Sequence, residues 1–139
     1  MSIWSKYVAL FLLAFAAVST ATSAKDRTST LDQAEQTFKA KGDAWAHCMM
    51  TAAPRFLGST ESAEAIATAI LGTCSAEQNE VQTSLVPIYG LTSPYGSLAQ
   101  SLPYAQAAAS NKIADMRNGF RDKFIAIVVE RRAAGGSGK

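Results

Sequence analysis

The stretch of sequence that decides the fold is residues 31–56, LDQAEQTFKAKGDAWAHCMMTAAPRF. Its large and small apolar residues recur with the 3.6-residue period of an α-helix, so that they share one face. Thr30 and Gln33 resemble a capping box at the start, and Gly58 is a suitable stop after the last turn. We therefore predict a first helix over about residues 31–56. Its buried face comprises Leu31, Ala34, Phe38, Trp45, Met49, Ala52 and Phe56.

A second helix is predicted over about residues 60–85. Ser59 or Thr60 can cap its start, and Pro87 is expected to end it. The apolar residues again lie on one face at the helical period. That face comprises Ala63, Ile66, Ala67, Ile70, Cys74 and Val81.

A third helix is predicted over about residues 103–133, with Pro103 in its first turn. The intervening stretch, residues 87–102, mixes Gly, Pro, Ser and Tyr without a period and predicts a loop. Residues 135–139, GGSGK, predict a flexible tail. The buried face of the third helix is predicted to comprise Ile113, Met116, Phe120, Phe124, Ile127 and Val128.

Since no strand is predicted, the fold class is all-α, and three helices in succession favour an antiparallel three-helix bundle. The domain is expected to occupy residues 25–134. With the first 24 residues removed, 115 residues remain, which is enough for one modest core.

The first 24 residues have the order of a cleavable secretory signal. Lys6 precedes the apolar run YVALFLLAFAAV at residues 7–18, and small residues follow to Ala24. Cleavage is expected after Ala24 or Ala21. Since a membrane span needs about 20 apolar residues, this run is too short to make an anchor the preferred interpretation. We expect a periplasmic or secreted product with no integral membrane segment after cleavage.

Charge excludes one class of function. Beyond residue 24 the chain has 12 Lys and Arg against 11 Asp and Glu. Such a balance does not fit a strongly basic nucleic-acid binder, so nucleic acid is not expected as a partner. The acidic excess of residues 25–80 and the basic excess of residues 81–139 favour attraction between helices of one bundle.

Cys48 and Cys74 predict a disulfide, because an exported chain meets an oxidising compartment. On the chain-entropy model, closing a loop of this length stabilises by about 3 to 4 kcal/mol. The predicted ends of the first two helices place the cysteines roughly 6 Å out of register, at 1.5 Å rise per residue. A tilt or a longer first helix could absorb that offset.

No residue pattern predicts catalysis or a cofactor. The run His47-Cys48-Met49-Met50 contains copper-type donors, but successive helical side chains point 100° apart, which sends His47 to the solvent side. The same geometry keeps His47 from activating Cys48 as a nucleophile. No metal and no cofactor are predicted, and the chain is not expected to be an enzyme.

Two charged residues fall inside apolar faces: Glu77 on the second predicted helix and Arg117 on the third. In one interpretation their stems cover the edge of the core while the charges reach water. In a second they form an ion pair across the two helices. In a third, Arg117 and Arg121 hold an anionic ligand.

Residues 124–129, FIAIVV, are apolar around most of the helix, so one face cannot bury them all. Ile125 and Val129 project away from the main face. Either the loop over residues 89–102 covers them, or they form an interaction surface for a protein partner or a weak homo-oligomer.

Three features together resemble small exported helical proteins of proteobacteria: the N-terminal signal, Trp45-x-x-Cys48 with a second helix ending in AILGTC at residues 69–74, and the segment FIAIVVERR at residues 124–132. The resemblance implies a periplasmic setting and a disulfide-tied helical domain. It implies no activity and no site residues.

The sequence thus predicts a non-enzymatic protein-binding or structural module. The alternative is a small-molecule or metal carrier in the periplasm. A deep pocket bounded by Tyr89, Tyr95 and Arg117 would favour the carrier, whereas a solid core with exposed Ile125 and Val129 would favour protein contact.

Overall fold

The computed structural model describes the backbone of residues 19–136 and the side chains of residues 25–135. This part of the chain is all-helical, which confirms the predicted fold class. It contains α1 (Ser19–Phe56), α2 (Ala63–Thr73), α3 (Ser75–Leu91) and α4 (Leu98–Gly136), with no strand between residues 19 and 136. Residues 1–18 of the predicted signal peptide and 137–139 of the predicted tail lie outside the described residues.

The first helix begins earlier than predicted, although it ends at Phe56 as expected. The hydroxyl of Thr30 donates to the carbonyl oxygen of Asp26 at 2.8 Å. That bond to the preceding turn is typical of a threonine inside a helix, not of a residue that caps one. The predicted capping box at Thr30 is therefore wrong, because the preceding residues already supply a helical turn.

The second predicted helix is divided at Cys74. The N–H of Cys74 donates to the carbonyl of Leu71 at 3.3 Å, an i to i−3 bond that closes α2, and α3 begins at the next residue. The start of α2 also differs from the prediction. Ser62 is its cap, and its hydroxyl accepts a bond from the N–H of Ala65 at 3.1 Å.

Neither Pro87 nor Pro103 marks a helix boundary. Pro87 lies inside α3, which continues to Leu91, and the half-buried Ile88 and Tyr89 beyond it pack against the core. Their burial offsets the backbone hydrogen bond that proline cannot make. Pro103 lies inside α4. The predicted loop over residues 87–102 is thereby reduced to the connection at 92–97.

Contacts between helices establish their relative directions. Lys41 of α1 pairs with Glu80 of α3 at 2.7 Å, and the disulfide joins a later residue of α1 to an earlier one, Cys74. α1 is therefore antiparallel to the segment formed by α2 and α3. Arg117 of α4 contacts Gln78, while Arg132, further along, contacts the α1–α2 turn, so α4 is also antiparallel to that segment.

The core lies where the helices face one another. Trp45 of α1 is fully buried and meets Phe120 of α4 edge to face, with ring centroids 5.0 Å apart. Such aromatic pairs stabilise beyond the area they bury. The buried residues include most of those predicted: Ala34, Trp45, Met49, Ala52, Ala63, Ile66, Ala67, Ile70, Cys74, Val81, Ile113, Phe124 and Val128.

One predicted core residue, Ile127, is 41% exposed. The buried row of α4 follows every fourth residue, through Ala105, Ala109 and Ile113 and later Phe124 and Val128. Four residues turn a helix through 400°, so this row moves about 40° around the helix at each step. By Val128 the core direction has moved away from Ile127, which explains its exposure.

Candidate functional site

The disulfide joins Cys48 of α1 to Cys74 at the junction of α2 and α3, with the two Cα atoms 5.9 Å apart. Cys74 is fully buried, whereas Cys48 is half-buried. The bond therefore ties α1 to the one residue at which the α2–α3 segment departs from regular helix. It confirms the predicted pairing.

A shallow cavity of about 420 Å³ opens beside this disulfide. The exposed imidazole of His47 lies on its wall, as expected from the 100° step between His47 and Cys48. Arg55 and Glu77 bring charges of opposite sign to the same cavity. The remaining lining residues are Ala44, Cys48, Thr51, Ala52 and Thr73.

Glu77 faces the disulfide. One of its carboxylate oxygens and the sulfurs of Cys48 and Cys74 all lie within 4.8 Å of one another. Two sulfurs and one oxygen are a donor set that a metal ion could use, but a sulfur held in a disulfide is not a thiolate ligand. In the oxidised chain this cluster is therefore a covalent tie with a carboxylate beside it.

The structure does not bring Glu77 and Arg117 together, so the predicted ion pair is absent between these two described side chains. Arg117 is exposed and donates to the side-chain oxygen of Gln78 at 3.4 Å. Gln78 follows Glu77, and a 100° step separates their directions, which places Gln78 toward α4 and Glu77 toward α1. The break at Cys74 rotates α3 relative to the single helix that the sequence predicts, and this rotation changes which residue meets Arg117.

The three residues proposed to bound a carrier pocket lie at different levels. Tyr95 contacts Tyr104 edge to face at 5.6 Å, near the start of α4. Arg117 lies 13 residues further along that helix, which is about 20 Å at 1.5 Å per residue. Tyr89 is half-buried and packs against the core. These side chains therefore do not converge on one small-molecule site.

Ile125 and Val129, predicted as an interaction surface, have different environments. Val129 is 55% exposed, whereas Ile125 is half-buried and packs against the core. The predicted cover, residues 89–102, cannot reach them, because Leu98 and Ile125 are 27 residues apart on one helix, or about 40 Å. Ile127 is the exposed neighbour of Val129, and only the movement of the buried row reveals this.

A second exposed apolar group occupies the opposite end of α4, and sequence reasoning missed it. Leu98 and Leu102 are one turn apart and both exposed, next to the Tyr95–Tyr104 pair. The sequence contains a signal that could have identified this end of the molecule: residues 81–111 include no Asp, Glu, Lys, Arg or His. In a chain with 17% charged residues, a neutral run of this length is informative.

A groove of about 630 Å³ runs between α3 and α4 within this neutral part. Amide and hydroxyl groups line it beside one proline and one valine, so it offers hydrogen bonds without charge. Its lining residues are Asn79, Gln82, Thr83, Val86, Pro87 and Gln106.

Among the described residues, no helix is long and apolar enough to cross a membrane. Comparison with protein-family models, with curated proteins and with solved structures finds no match for this chain. Conclusions about function therefore rest on the geometry of this molecule alone.

Proposed function

We propose that this chain is an exported, non-enzymatic helical module that binds another protein through the C-terminal part of α4. The observation that carries the proposal is the exposure of Ile127 and Val129, two large apolar side chains near the end of a long helix. Exposed apolar groups of this kind are typical of contact surfaces.

The end of α4 is held in place, which favours binding. Arg132 donates to the carbonyl oxygen of Ser59 at 3.1 Å and to that of Glu61, both in the α1–α2 turn. Val128 packs into the core between the exposed Ile127 and Val129. A surface on a rigid element loses less conformational entropy when it binds a partner.

We further propose that α1, the α2–α3 segment and α4 act as the three arms of an antiparallel bundle, and that residues 1–24 direct the chain to the periplasm and are removed. The antiparallel contacts support the first of these points. The apolar run at residues 7–18 and the disulfide support export.

Affinity capture with the C-terminally tagged chain tests the proposal. Ile127→Lys/Val129→Lys should remove the captured protein, or the self-association, of the unchanged chain. Met50→Lys is the matched control, since Met50 is 65% exposed on α1 and receives the same charge. If the two variants retain or lose binding equally, the proposal is wrong.

The alternative function, a small-molecule carrier, is favoured by the neutral groove between α3 and α4. Its amide and hydroxyl lining would suit an uncharged polar ligand. Thr83→Arg should fill the groove, since Thr83 is exposed there. A neutral ligand that raises the Tm of the unchanged chain but not of this variant would establish the carrier, and no such ligand would exclude it.

A further inference from the structure

One end of the molecule is free of charge. Residues 81–111 lie between Glu80 and Lys112 and form the second half of α3, the connection at 92–97 and the first turns of α4. Four large apolar side chains are exposed at this end: Tyr95, Leu98, Leu102 and Tyr104. Leu98 is 79% exposed, the highest value among the exposed large apolar residues between 25 and 135.

Helix contacts show how far this end extends. Pro87 of α3 and Gln106 of α4 line the same groove and so lie at one level. Leu98 precedes Gln106 by eight residues, which places it about 12 Å further out along α4. The pairing of Lys41 with Glu80 puts Pro87 level with about residue 34 of α1. Leu98 is consequently level with about Asp26.

The start of α1 projects from this same end. α1 is helical from Ser19, about 10 Å beyond the level of Leu98 at 1.5 Å per residue. The residues that precede it in sequence, YVALFLLAFAAV at 7–18, are continuously apolar. The neutral end with its exposed leucines and tyrosines is therefore the part of the domain nearest to the most apolar segment of the chain.

We propose that this neutral end is a lipid-facing surface, which rests against the bilayer while residues 7–18 are inserted in it. An uncharged end can approach the headgroups without desolvating a charge. Tyrosine is enriched at membrane interfaces, where its ring meets the acyl boundary and its hydroxyl stays wet. Lys25 and Arg27, near the level of Leu98, can attract anionic headgroups.

The opposite end of α4 is unsuited to this role. Arg121, Lys123, Glu130, Arg131 and Arg132 surround Ile127 and Val129 there. A bilayer contact at that end would desolvate several charges at once. The two exposed apolar groups of α4 thus differ in setting, and only the neutral one adjoins the apolar N-terminal segment.

A lipid surface fits the neutral end better than a second copy of the chain. A whole aromatic side chain contributes about 150 to 250 Å². Four partly exposed side chains fall well below the roughly 800 Å² per partner of a standard stable interface. A bilayer imposes no such minimum, because each side chain enters it separately.

The test places a tryptophan reporter at each end of α4 in the full-length chain. Leu98→Trp and Ile127→Trp are matched variants, since both sites are exposed and apolar. Trp4→Phe removes one native fluorophore, and the buried Trp45 gives the same background in both variants. Each variant is reconstituted with phosphatidylcholine and phosphatidylglycerol vesicles, with and without nitroxide-labelled lipid. Circular dichroism confirms that both remain helical.

We expect both variants to float with the vesicles and the nitroxide lipid to quench the reporter at position 98 several-fold more than the reporter at 127. Equal quenching at the two positions would overturn the proposal, as would no quenching at 98. A blue shift at 98 that grows with protein concentration in the absence of lipid would assign the surface to a second copy instead. Failure of the full-length chain to float would show that residues 7–18 do not enter the bilayer, and would also overturn it.

Discussion

A carboxylate oxygen of Glu77 lies within 4.8 Å of the sulfur of Cys48, on the half-buried side of the disulfide. Reduction of this bond needs an attacking thiolate and releases another, and both carry negative charge. Glu77 is therefore placed to repel the reagent and to disfavour the leaving group.

Glu77→Gln should accelerate reduction of the disulfide by dithiothreitol. Because Glu77 is only half-buried, water screens its charge, and we expect an increase of about two- to tenfold that shrinks at high salt. Stopped-flow or quenched thiol assays measure the rate. Glu80→Gln is the matched control, since Glu80 pairs with Lys41 and not with the disulfide. Equal rates for the two variants would contradict this prediction.

The disulfide should contribute a large share of the stability. Cys48 and Cys74 are 26 residues apart in sequence, for which the chain-entropy model gives about 3 to 4 kcal/mol. Cys48→Ala/Cys74→Ala should therefore lower Tm by roughly 10 to 20 °C. Thermal unfolding followed by circular dichroism measures the shift. The unreduced chain should also contain no titratable thiol; two free thiols would show that the bond does not form.

Glu77 and Arg117 should be energetically independent. The free-energy costs of Glu77→Ala and Arg117→Ala should add to within about 0.3 to 0.5 kcal/mol in a double-mutant cycle. The physical reason is that Arg117 donates to Gln78 while Glu77 faces α1. Urea unfolding of the four proteins of the cycle provides the measurement. A coupling energy above 1 kcal/mol would restore the ion pair that the sequence predicts.

Val128 and Val129 form a natural matched pair near the end of α4. Val128 is 2% exposed and Val129 is 55% exposed. Val128→Lys should cost at least about 3 kcal/mol, because an unpaired charge enters the core. Val129→Lys should change the free energy of unfolding by no more than about 0.5 kcal/mol.

Ile125→Lys should fall between these two limits, because Ile125 is half-buried against the core. Thermal unfolding ranks the three variants. Similar losses at positions 128 and 129 would mean that α4 is rotated from the orientation described above.

Sequence patterns predicted a substantial part of the fold and little of the candidate site. The helical period placed Trp45, Ile70 and Ile113 in the core correctly, since period and burial are local consequences of helix geometry. The prolines misled, because Pro87 and Pro103 signal helix ends only where packing does not compensate for the lost hydrogen bond. The faces of Glu77 and Ile127 also differed from prediction, since each depends on accumulated rotation along a helix.

The sequence by itself determined that the chain is helical, which residues are buried along most of each helix, and that Cys48 and Cys74 pair, because these follow from residue spacing and cysteine count. Only the tertiary structure decided that Cys74 divides α2 from α3, that Gln78 and not Glu77 meets Arg117, and that Leu98 stands exposed beside the start of α1. The physical reason is that a one-residue interruption or a 40° step of the buried row is set by contacts between helices that are distant in sequence.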